Sequence, residues 1–179
     1  GVEGFLRGFP DSAWALSLRC ILGGEYYRTG HYSKAIDSWR SAWELGKGFT
    51  DEVPMALANE AVAELGLMYA RLGRMQDIRR VVAEVDGRQF RGGASVNMNG
   101  ARDGLWSMEH RPETSFRCGP LALDRIYAAT DRAKADNPLI QDSQSTTNGF
   151  SARQVAELSR RLGMNYQVAF REPGAAIVL

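Results

Sequence analysis

Along the first hundred residues the apolar positions recur with helical spacing and repeat as a block. Leu22-Gly23, Tyr26, Gly30, Tyr32, Ala35, Trp39 and Ala42 align with Leu65-Gly66, Tyr69, Gly73, Met75, Ile78, Val82 and Val85 at a constant offset of 43 residues. Each block predicts two helices packed antiparallel across a tight turn. Gly30 and Gly73 sit where a left-handed residue ends the first helix, and Gly23 and Gly66 let the second helix approach the first. Ala35 fills the closest crossing of the first pair. Ile78 replaces it in the second, which predicts a wider pair. Pro10-Asp11-Ser12 reads as the start of the first block, and Asp51 with Pro54 as the start of the second.

The offset equals a period of roughly 34 residues plus an insertion around Gly48–Val53. On these residues the region resembles tetratricopeptide repeats, with the first unit the better match. A third helix is predicted from about Ser95 to Glu109, where Val96, Met98, Ala101, Leu105, Trp106 and Met108 form a stripe that caps the stack. Such a stack offers a shallow concave surface that holds a peptide or positions a neighbouring domain, or else it is a helical spacer. The tryptophans Trp14, Trp39, Trp43 and Trp106 read as core residues at helical spacing. Cys20 reads as a small buried hydrophobe, and His31 as an exposed turn residue.

The pattern changes after Glu109. Phe116-Arg117-Cys118-Gly119-Pro120 leads into Leu121, Leu123, Ile126 and Tyr127, the spacing of a helix with Pro in its first turn. Gly149-Phe150-Ser151 opens another helix, with a Ser151/Gln154 capping box, an apolar face of Val155, Leu158 and Leu162, and Gly163 as its stop. Tyr166, Val168 and Phe170 then alternate as in a half-buried strand, and Ala175–Leu179 begins a second one. Ala135–Asn148 is polar and reads as loop. The chain is thus expected to be mainly α, with a helical-hairpin domain over 1–109 and a smaller α+β part over 110–179.

Composition narrows the chemistry. The 22 Lys and Arg balance 21 Asp and Glu in 179 residues. The part up to Glu109 carries 13 basic and 14 acidic residues, and the remainder 9 and 7. Neither part has the charge asymmetry on which nucleic-acid binding depends, and no apolar run is long enough to span a membrane. Two cysteines form no disulfide framework, and no metal or cofactor motif is present. The apolar final residues predict a piece of a longer protein. A strand edge left open there predicts self-association, or a partner chain that completes the sheet.

Cys118 is the one residue whose setting points to covalent chemistry. At the first turn of a helix the positive end of the macrodipole favours a thiolate. The Cys118-Gly119-Pro120-Leu121-Ala122-Leu123 helix start, the Gly149–Leu158 helix, the Leu162-Gly163-Met164 stop and the following strand together resemble the first half of a papain-like cysteine peptidase domain of the bacteriocin-processing, double-glycine type. The combination with helical repeats resembles an arrangement in large bacterial proteins with RHS-type repeats. That likeness implies a peptide or protein substrate, cleavage after a Gly-Gly pair, Cys118 as nucleophile and no cofactor, and it permits export within a larger protein. It also implies a His base and an orienting Asp or Asn beyond the strand. The sequence holds no His after His110, so no turnover is expected from these 179 residues alone. Where the family carries an oxyanion-donating Gln, Pro112 stands beside Glu113, leaving the Cys118 N–H for that role. His110 is an alternative base, or simply a helix-terminal residue. Arg117 either steadies a thiolate or is an exposed loop residue. The competing readings are an inactive peptide-binding domain and a helical scaffold.

Overall fold

The computed structural model describes residues 1–131, 136–164 and 166–169, and these are mainly helical. They divide into two compact units, Gly1–Ser107 and Met108–Leu179. In the first, a short α1 (Val2–Gly8) precedes α2 (Ala15–Arg28) and α3 (Tyr32–Gly46). Then come α4 (Glu52–Arg71), α5 (Met75–Glu84) and α6 (Gly92–His110), whose last residues fall in the second unit.

The turns follow the glycines. Gly30, with φ +78°, separates α2 from α3, and Gly73, with φ +67°, separates α4 from α5, both in the left-handed region that disfavours a Cβ. Packing in the first hairpin is close. A Cβ on Gly23 would lie 2.3 Å from the Trp39 indole nitrogen, so α3 rests on α2 where α2 has no side chain. Gly46 plays the same part between α3 and α4, where a Cβ would come 2.8 Å from that of Ala58. Gly66 differs from expectation. Its nearest neighbour is Ala101 of α6 at 3.2 Å, with Val81 of α5 farther away. Gly100 and Gly104 in turn face Leu67 and Ala70, so a seam of small residues joins α4 and α6.

Polar groups fasten the segment after α5. The buried Asn59 donates to the Gln89 carbonyl at 3.1 Å and accepts from Arg88. Arg88 also donates to the Lys47 carbonyl at 2.9 Å and stacks over Trp43, whose indole N–H donates to Glu84 at 2.8 Å. Two of the four tryptophans are therefore core. Trp39 and Trp43 are buried, whereas Trp14, which precedes α2, is 69% exposed and Trp106 of α6 is also exposed.

The second unit contains α7 (Pro112–Ser115), α8 (Cys118–Thr130), α9 (Pro138–Gln141) and α10 (Ala152–Arg161). Its core is Leu123, Tyr127, Ile140 and Leu158, flanked by Ile126, Val155, Leu162 and Met164. Ser151 caps α10 by the reciprocal bonds of a capping box, and Gly163, with φ +77°, ends it. The expected loop contains a helical turn. Asn137 accepts from the Leu139 N–H and Pro138 occupies the first helical position, which together start α9. Tyr166–Ala169 shows no ladder pairing among the described residues; the rest of that expected strand and Ala175–Leu179 lie outside them.

Candidate functional site

Cys118 is the first residue of α8 and is exposed. What positions it is the contact behind it. A Cβ on Gly119 would lie 2.4 Å from the Val155 Cγ2 atom and 3.5 Å from the Phe150 Cβ, so the start of α8 lies directly on α10 and its leading loop. Pro120 is buried one residue later. Tyr127 donates to the Leu162 carbonyl and holds the other end of α8 to the end of α10. The cysteine thus stands, free and exposed, at the start of a helix braced at both ends.

Its surroundings limit the chemistry. Pro112 begins α7, and its carbonyl accepts from the Ser145 hydroxyl, while the Glu113 carbonyl accepts from the Ser145 N–H at 2.9 Å. Both carbonyls of this segment are thus engaged as acceptors by Ser145. Arg117 is turned inward: its guanidinium donates to the Ile140 carbonyl, and its Nε is buried without a partner. That departs from both readings of Arg117, since it is neither an exposed loop residue nor aimed at the cysteine. His110 is the exposed last residue of α6.

The hairpin unit holds a second candidate that no local motif announces. Ser17, Cys20, Ile21, Gly24 and Tyr27 of α2, Leu57, Glu60, Glu64, Leu67 and Arg71 of α4, and Asn97 of α6 line a groove with a volume of about 440 Å³. Asn97 donates to Glu64 at 2.8 Å, and Arg71 donates to the Tyr27 hydroxyl and lies over its ring at 5.3 Å. Burial pushes the Glu64 carboxyl above its ordinary range, and Glu60 adds to that against the pull of Arg71 and the Asn97 hydrogen bond.

The Cys20 thiol donates to the Leu57 carbonyl at 3.6 Å, and burial, with help from Glu60, pushes it up to about 12. It stays protonated at neutral pH. With its folded value above the ordinary 9.0, its contribution to stability is present below about pH 9 and is lost as the pH climbs toward 12. His31 is exposed in its turn, 3.1 Å from the Thr29 hydroxyl.

No protein-family model, curated protein or solved structure matches this chain. Function must be argued from these two places alone. Among the described residues no three His, Cys, Asp or Glu side chains gather as a metal site would require, and no helix is long and apolar enough to cross a membrane.

Glu64 supplies a pH-dependent prediction. A carboxyl whose folded value lies above its unfolded one adds stability while protonated and loses it as the pH rises through the folded value. Glu64→Gln keeps an oxygen for Asn97 and removes the desolvated charge. Its Tm should therefore exceed that of the parent at pH 7, and the gap should close as the pH falls into the carboxylate range. Thermal melts at pH 7 and pH 4 check this; a variant less stable at pH 7 would show that the charge is better accommodated than its burial implies.

Proposed function

We propose that this chain carries the nucleophile of a papain-like cysteine peptidase, Cys118, together with tetratricopeptide-like hairpins that hold a peptide. In the complete reaction the Cys118 sulfur attacks the scissile carbonyl carbon. The amine leaves with a proton, and water then releases the acid from the thioester. The resemblance implies a His as the base. The observation that carries this reading is the exposed Cys118 at the first position of a helix braced by the Gly119–Val155 contact. For the hairpins, support comes from the positive φ of Gly30 and Gly73 at the repeat offset and from the groove across α2, α4 and α6.

A second reading, peptide binding without cleavage, is favoured by the engaged carbonyls of Pro112 and Glu113, where the resemblance implies a donating Gln. Iodoacetamide alkylation as a function of pH separates the two, because the rate follows thiolate fraction and access. With Cys20 replaced by Ser, a Cys118 rate that stays high well below pH 8 is the expected result for a prepared nucleophile. A rate rising only as for a free thiol would leave the non-cleaving reading ahead.

A further inference from the structure

The groove of the hairpin unit has a definite chemical character. Val53, Leu57, Glu60, Glu64, Leu67 and Arg71 recur every three or four residues and form one stripe along α4. Trp14, the N-cap residue of α2, and Ile21 lie seven residues apart, two helical turns, on one side of that helix. At the ends of these stripes and beside the cavity the apolar groups are left open: Trp14 is 69%, Ile21 63% and Val53 70% exposed. Between them stand Glu60 and Glu64, one helical turn or about 6 Å apart along the axis. Arg71 pulls on Glu64 from the end of the stripe, but among the described residues neither carboxylate has a cation within ion-pair distance. Arg71, the one cationic side chain lining the groove, is engaged with Tyr27 at the end of the stripe.

We infer that this groove binds an extended peptide in which one or two Lys or Arg residues are flanked by apolar side chains, the cations meeting Glu60 and Glu64 and the apolar groups covering Ile21, Leu57 and Val53. This rests on the reading of the hairpins as a peptide-holding surface and adds the class of peptide. Charge complementarity selects a cation for the middle of the groove. The net charge of the chain is +1, so the molecule as a whole does not attract cations and any preference must arise locally. The open apolar groups select a peptide over a small polyamine, which could satisfy the carboxylates but leave those side chains in water. From Val53 to Arg71 the α4 stripe runs about 27 Å, a length that about eight extended residues span.

The test uses the full chain and three fluorescein-labelled octapeptides in which leucine alternates with arginine, serine or glutamate, followed by anisotropy at two salt concentrations. The arginine peptide should bind at least tenfold more tightly than the other two, and more weakly as salt rises. Glu60→Gln with Glu64→Gln should remove most of that preference, while Glu44→Gln, on α3 and paired with Lys47, leaves it intact. Circular dichroism confirms that the variants fold. Equal binding of all three peptides, or a preference for glutamate, would overturn the charge assignment while leaving a peptide-holding surface in place. Binding of none would overturn both. Displacement of the arginine peptide by spermine at equal concentration would show that charge alone is read, and would overturn the peptide assignment.

Discussion

Gly23→Ala should lower the stability of the hairpin unit by about 2 kcal/mol, while Gly24→Ala, one residue along the same helix, should raise it by about 1 kcal/mol. Both substitutions gain the helix propensity that separates alanine from glycine, roughly 1 kcal/mol in a helix interior. They differ in what the new methyl meets. At Gly24 nothing lies within 4 Å, and the propensity term stands alone. At Gly23 the Cβ would fall 2.3 Å from the Trp39 indole nitrogen and 2.4 Å from its Cδ1. The indole is a rigid plate that is itself buried, packed against Tyr27 at 6.1 Å between ring centroids, so it cannot swing aside into solvent. Overpacking of this kind costs about 3 kcal/mol at the upper end of its usual range, more than the propensity gain. All four tryptophans lie before Met108, so urea unfolding followed by tryptophan fluorescence reports on this unit alone. Equal midpoints for the two variants would mean that α3 is not seated on Gly23.

That pair of glycines also shows what a one-dimensional reading can reach. Gly30 and Gly73 were legible because a turn glycine is demanded by the local backbone, and its position repeats with the helices around it. The capping box of α10 was legible for the same reason: Ser151 and Gln154 are three residues apart and satisfy one another. Gly66 was half legible. A close approach was foreseen, but the partner is α6, more than thirty residues away, and nothing in the repeat distinguishes α6 from α5 as the nearer neighbour. Trp14 and Ile21 carry the spacing of a core face, yet both are exposed, since periodicity identifies an apolar face without saying whether another helix covers it. α1 is too short to produce a periodic signal. α9 carries one, Asn137 followed by Pro138, hidden within a polar segment.

The two candidate sites divide along the same line. Cys118 was found because its chemistry is local, depending on one cysteine, one helix start and the proline that marks it. The groove was missed because its parts are not neighbours in sequence. Glu60 and Glu64 look like an ordinary solvated pair on α4 until Cys20, Tyr27 and Asn97 are brought up from two other helices. Partial burial then changes the character of Glu64. Burial, with help from Glu60, pushes the Cys20 thiol up to about 12 and raises the Glu64 carboxyl.

Gly119→Ala is the corresponding prediction for the second unit, and it tests the brace on which the Cys118 reading depends. The new Cβ would come 2.4 Å from Val155 Cγ2. Valine in a helix holds essentially one rotamer, so its methyl cannot rotate away without strain, and the start of α8 must move off α10. A loss of about 2 kcal/mol is expected. Val155→Ala removes the opposing methyl and should itself cost about 1 kcal/mol as a truncation at the edge of the core. Combined with Gly119→Ala it should recover most of the first loss, because the alanine then fills the space that valine vacated. The double-mutant cycle should give a favourable coupling of about 1–2 kcal/mol. Hydrogen exchange resolved to peptides covering α8 and α10 is the suitable readout, since unfolding of a chain with two units need not be a single transition. Protection should fall across the first turn of α8 in Gly119→Ala and return in the double variant, and the Cys118 alkylation profile should move and return with it. Additive losses would instead mean that α8 and α10 do not meet at Gly119, and Cys118 would then be held by its own helix alone.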